Sequence, residues 1–169
     1  NKSELITVKK IGYILLTLFI SINSFAQNTN LTSFVGNWEW VNGNETFKLN
    51  FFIENEGISG NYKLVEINNG VEIIIYSSKF SIADTGNYTT GFSGYSDNGV
   101  LMGGRITDSS WKWNGENKTK TGSLAFTILP SINGQIRATW KVSKLSGLRV
   151  GDEILEFVIP TDIILNKVN

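Results

Sequence analysis

The sequence has no cysteine and no histidine, and only two prolines and one methionine among its 169 residues. Without histidine there is no Ser-His-Asp or Cys-His relay, no imidazole metal ligand and no imidazole pH switch. Without cysteine there is no disulfide, no thiolate nucleophile and no lipid-bearing N-terminal cysteine, so stability has to come from a hydrophobic core. An excess of one charge is missing as well: 15 Lys and Arg face 15 Asp and Glu. No run of basic residues makes a local footprint for nucleic acid, so no nucleic-acid partner is expected. Helical periodicity is absent beyond residue 26.

One long apolar run is present, and it comes first. Lys9 and Lys10 precede an apolar stretch over 11–22, and Asn23-Ser24-Phe25-Ala26 offers small residues where a signal peptidase reads. This predicts a signal peptide over 1–26, cleaved before Gln27. The stretch is well short of the roughly 20 residues that span a bilayer, and no second one follows. The expectation is an exported protein, periplasmic, cell-surface or secreted, with no membrane span after cleavage. Loss of Lys2, Lys9, Lys10 and Glu4 turns the balance of 15 and 15 into 12 basic and 14 acidic residues. Residues 27–32 are polar and predict a flexible N-terminal segment, and 33–169 has the length of a single domain.

What fills that domain is strand pattern and turn punctuation. Thr46-Phe47-Lys48-Leu49-Asn50-Phe51 alternates polar and apolar residues, as does Ile136-Arg137-Ala138-Thr139-Trp140-Lys141-Val142, which marks strands with one wet and one buried face. Five Asn-Gly pairs, at 42–43, 69–70, 98–99, 114–115 and 133–134, supply residues that tolerate the positive φ of tight hairpins. Strands are expected over 36–41, 45–54, 58–67, 71–77, 100–107, 122–129, 135–143 and 161–168, with long loops and short extra strands in 78–97 and 144–159. Eight strands joined mainly by hairpins predict an all-β, antiparallel up-and-down barrel, which leaves no exposed edge. A two-sheet β-sandwich is the alternative.

Phe34-Val35-Gly36-Asn37-Trp38 resembles the opening G-x-W strand of lipocalins and avidins, the calycin barrels. Ile58-Ser59-Gly60-Asn61-Tyr62, Ala138-Thr139-Trp140 and Asp162–Val168 are similar to later avidin strands. A closer resemblance is to a domain-of-unknown-function family of small exported proteins from Bacteroidetes-type bacteria, carried by the Gly36-x-Trp38 opening and the Pro160-Thr161-Asp162-Ile163-Ile164-Leu165 close. It implies export and a β fold, and no activity. The calycin likeness implies that Trp38 floors the barrel with Lys167 packed over its ring. Biotin chemistry does not carry over, because Trp40 and Leu64 stand where avidins supply hydrogen-bonding side chains.

The candidate chemistry is sparse. Glu39, Lys48, Arg137 and Lys141 fall on the polar phase of their strands and are read as solvated. Gly91-Phe92-Ser93-Gly94-Tyr95 is a poor nucleophile elbow, so Ser93 is read as a loop serine. No metal site, cofactor or catalytic residue is nominated, and a non-enzymatic protein is expected. Two functional readings remain. In one, the barrel binds a small apolar ligand, with Trp40, Tyr62 and Trp140 lining an interior pocket whose walls are apolar and whose tips form hydrogen bonds. In the other, the core is solid, and a surface or assembly module binds glycan or protein through loops such as the polar stretch 108–121, where Trp111 and Trp113 would be exposed.

Overall fold

The computed structural model describes residues 30–78, 90–96, 98–110, 112–113, 116–117, 119–145 and 156–168. A short 3-10 turn, Leu31–Ser33, leads into strands β1 (Gly36–Asn42), β2 (Glu45–Glu54), β3 (Gly57–Asn68), β4 (Val71–Ser77), β5 (Phe92–Tyr95) and β6 (Leu101–Asp108). They continue with β7 (Lys112–Trp113), β8 (Glu116–Asn117), β9 (Lys120–Ile132), β10 (Gln135–Lys144) and β11 (Asp162–Val168). The expected signal peptide lies outside the described residues, as do 27–29 of the N-terminal segment.

Eight antiparallel strands close on themselves in the order β1-β2-β3-β5-β6-β9-β10-β11, with β11 returning to β1. The up-and-down barrel is therefore the fold. One stave differs from the sequence expectation. Residues 71–77 form a strand but not a stave, because β4 and β5 share one edge of β3. Residues 63–68 of β3 pair with β4, and Ile58–Gly60 pair with β5. Only β5 then pairs with β6. β4 rises above the rim as a ninth strand, with Val71, Ile73, Ile74 and Ile75 exposed. Phe92–Tyr95, within the 78–97 region expected to hold long loops and short extra strands, supplies the missing stave, so Ser93 is a strand residue rather than a loop serine.

Three of the Asn-Gly pairs sit in described hairpin turns. Asn69-Gly70 and Asn133-Gly134 carry φ values of 51° and 78° at their two positions, the left-handed pair that a type I′ turn requires. Gly43 (φ 63°) serves the β1–β2 turn, while β2 and β3 are joined by Asn55-Glu56 instead, with φ 48° and 62°.

Inward positions fill the barrel with one aromatic column. Ring centroids step from Phe34 to Phe126 (6.0 Å), Phe51 (4.6 Å), Phe92 (4.6 Å), Trp140 (5.4 Å), Phe47 (5.9 Å), Tyr62 (5.8 Å) and Tyr76 (6.4 Å). Trp38 joins low down, 5.0 Å from Phe126 and edge-on to it. Such tilted and edge-to-face contacts are favourable beyond the area they bury. The column needs Gly60. A Cβ there would stand 2.1 Å from Cζ of Phe92 and 2.5 Å from the carbonyl oxygen of Asn50, so no other residue leaves Phe92 its place.

Candidate functional site

At the lower end the chain enters beneath the barrel and Trp38 is fully buried. Its indole N–H donates to the carbonyl of Phe34 at 2.8 Å. Nζ of Lys167 lies 5.4 Å from the Trp38 ring centroid and donates to the carbonyl of Ser33 at 3.0 Å. The register explains the contact, since Trp38 and Lys167 are directly opposed in the β1–β11 ladder. A cation over an indole face, with its alkyl stem on apolar surface, seals this end against water.

Tyr62 and Trp140 both lean on Phe47, and Trp40 is the cross-strand partner of Phe47 in the β1–β2 ladder. Tyr62 and Trp140 are buried, while Trp40 is partly buried against the core. Phe47 occupies the space between them, and their polar tips are used by the protein itself. Trp140 donates to the carbonyl of Pro160 at 2.9 Å. The Tyr62 hydroxyl donates to the carbonyl of Thr107 at 2.7 Å and accepts from the Ser109 amide at 3.1 Å. Trp111 lies outside the described residues, and so does the side chain of Trp113, whose backbone pairs with Glu116.

The polar stretch that begins at Asp108 is not all surface. Asp108 is fully buried, and Lys120, its partner in the β6–β9 ladder, is nearly so. One carboxylate oxygen of Asp108 accepts from the Ser110 amide (3.0 Å) and hydroxyl (2.5 Å). The other accepts from the amides of Val158 (2.7 Å) and Ile159 (3.3 Å). Asp108 thereby pins the segment before β11 across the upper end. Nζ of Lys120 reaches the carbonyl of Glu156 and lies 5.3 Å from the Phe157 ring centroid. Sequence reading missed both residues, since nothing near them in the chain announces their partners.

Burial pushes the Tyr62 hydroxyl above the usual tyrosine range, opposed in part by its Ser109 hydrogen bonds. Tyr76 is raised further, by burial first and then by the nearby charge of Asp108. Its hydroxyl has no hydrogen-bond partner among the described residues. The folded state therefore holds both protons more tightly than the unfolded chain. The stability this contributes is complete below about pH 10 and is lost as pH rises toward the folded values. Lys167 opposes them, its pKa lowered by burial, but it is one half-buried cation against two tyrosines. Ultraviolet titration of the phenolates should show Tyr62 and Tyr76 ionising only as the protein unfolds in alkali. Complete ionisation of every tyrosine in a still-folded barrel would refute this.

Two grooves open on the outside. One, of about 460 Å³, lies at the upper rim between Val142–Lys144 and Glu156, Phe157 and Thr161. The other, of about 500 Å³, crosses the outer wall of β1, β2 and β3. Its floor is a row set by register: Val168 opposes Asn37, Asn37 opposes Asn50 and Asn50 opposes Asn61. The next row is Glu39, Lys48 and Lys63. Glu72 reaches over from β4 to bind both lysines, at 2.5 Å to Lys48 and in close contact with Lys63, while Glu39 lies 3.7 Å from Lys48. The Lys48 hydrogen bond, and then that of Lys63, hold the Glu72 carboxyl below its ordinary range. The outer wall of a barrel is convex, and β4, through Ile74 and Ser77, supplies the lip that makes a groove of it.

Among the described residues no three His, Cys, Asp or Glu side chains gather as a metal site requires, and no helix is long and apolar enough to cross a membrane. What stands is an eight-stranded barrel packed with its own rings, with one groove on the outer wall and one at the upper rim. Residues 8–168 match the model of the family of unknown function DUF6705, and the chain belongs to that family. No curated protein and no solved structure matches it.

Proposed function

We propose that this is an exported, non-enzymatic barrel that binds its partner on its outer surface, the interior being given over to packing. The observation that carries this reading is the aromatic column, which runs from Phe34 to Tyr76 with no step above 6.4 Å. A barrel of eight strands is just wide enough to be filled by its own side chains. The indole N–H groups of Trp38 and Trp140 and the hydroxyl of Tyr62 already have backbone partners, so an interior ligand would find few polar groups to orient it. The Trp38–Lys167 floor supports a plan like that of calycin barrels, and the apolar run over 11–22 supports export through a cleaved signal peptide. Titration with a fatty acid, a retinoid and a porphyrin, followed by tryptophan fluorescence, tests the reading. The expected curves are flat. Saturable quenching at micromolar ligand would overturn it in favour of an interior site lined by Trp40, Tyr62 and Trp140.

A further inference from the structure

We infer that the outer-wall groove over Asn37, Asn50 and Asn61 is a binding site for a neutral carbohydrate chain, a step that rests on the outer-surface reading above. Asparagine is depleted in β-strands, because its side chain competes for backbone hydrogen bonds and packs poorly on a pleated surface. Here Asn50 and Asn61 stand mid-strand, and Asn37, second in β1, aligns with them in one row across three neighbouring strands. A locally unfavourable choice repeated in register marks a place where something other than folding sets the sequence.

The row's bonding is half used. Nδ2 of Asn50 donates to Oδ1 of Asn37 at 2.9 Å, and Oδ1 of Asn61 accepts from the Ser78 hydroxyl at 3.4 Å. Among the described residues this leaves Nδ2 of Asn37, Oδ1 of Asn50 and Nδ2 of Asn61 without a protein partner. Donor, acceptor and donor thus alternate along the floor. Hydroxyl groups, which both donate and accept, complement such an alternation whichever way they rotate.

Charge points the same way. Two lysines and two glutamates border the row and neutralise one another in a single network, so the groove offers no net field to a phosphate, a sulfate or an acidic chain. Ile74, 58 % exposed, and Val168 form apolar shoulders that suit the C–H faces of sugar rings. From β1 to β3 the row covers two strand spacings, about 10 Å, which is room for about two linked pyranose units. The Trp38 and Tyr62 rings point into the barrel, so binding rests on hydrogen bonds rather than ring stacking, and millimolar affinity is the expected range.

The test is an NMR titration of the isotopically labelled protein with cello-, malto-, xylo- and mannotetraose, and with tetragalacturonate as the acidic comparison. At least one neutral chain should shift the side-chain amide resonances of Asn37, Asn50 and Asn61 saturably, and the acidic chain should not. Asn50→Val favours the strand and should leave unfolding by urea unchanged while weakening that binding at least tenfold. Binding that survives Asn50→Val, preference for the acidic chain, or silence from all four neutral chains would overturn the proposal. Shifts confined to 111–118 would overturn the groove while sparing the outer-surface reading. Shifts of the buried aromatic rings would sink both.

Discussion

Replacing Asp108 with alanine should cost the fold about 2–6 kcal/mol, because two buried backbone amides lose their acceptor at about 1–3 kcal/mol each. The carboxylate is fully buried and accepts four hydrogen bonds, two of them from the backbone amides of Val158 and Ile159, some fifty residues away. Alanine leaves those amides in a dry interior with no acceptor, each penalised by about 1–3 kcal/mol unless the segment lifts to find water. Lifting is costly too, because Pro160 of the same segment accepts the Trp140 indole N–H. A carboxamide in place of the carboxylate would keep one oxygen but turn a donor toward amides that need an acceptor, so Asp108→Asn should recover only part of the loss. Urea unfolding followed by circular dichroism measures both. A loss below 1 kcal/mol for the alanine variant would show that Asp108 does not hold the upper end closed.

Trp140→Ala should be comparably damaging. The ring is fully buried between Phe47 and Phe92 and is hydrogen-bonded at its tip. Truncating a large core aromatic costs about 3–5 kcal/mol through lost transfer energy and the cavity left behind. For a domain of this size that is a fall of about 10–15 °C in the melting temperature. Trp140→Phe keeps most of the volume and should lose less than half as much. Were the ring the wall of a ligand pocket, neighbouring water would already occupy part of the space and alanine would be tolerated. A melting temperature within 3 °C of the parent protein would therefore argue against a packed interior.

The strands were legible because alternation and Asn-Gly turns are local signals. Residues 45–54 and 71–77 are strands with the expected bounds. What local pattern does not contain is partnership. Val71–Ser77 has the stronger strand composition, and Phe92–Tyr95 is short and interrupted by glycine, yet the latter is the stave. Closure is decided by which strand β6 reaches, and that is a long-range choice. Asp108 and Lys120 were passed over within the polar stretch 108–121 for the same reason, since their burial depends on the distant segment around Val158. The asparagine row was within reach. Each hairpin fixes its own register, so a turn at 43–44 sets Asn37 against Asn50 and a turn at 55–56 sets Asn50 against Asn61. Asparagine was read as a turn residue, and mid-strand positions were not compared across hairpins.

The shared edge of β3 bears on how this protein can change its length. The amide of Ser78 bonds to the carbonyl of Tyr62 and that of Gly91 to the carbonyl of Gly60, two residues along the same strand. Ser78 and Gly91 thus meet β3 within one step of its ladder, so the number of residues between them is not set by strand register. Doubling such a connection costs only about 0.6 kcal/mol of closure entropy. Insertions, deletions or whole grafted domains at this seam leave all eight staves in place, whereas one added residue in the Asn55-Glu56 turn would offset β2 against β3. Evolutionary drift in length, and any engineered cargo, belongs at the seam.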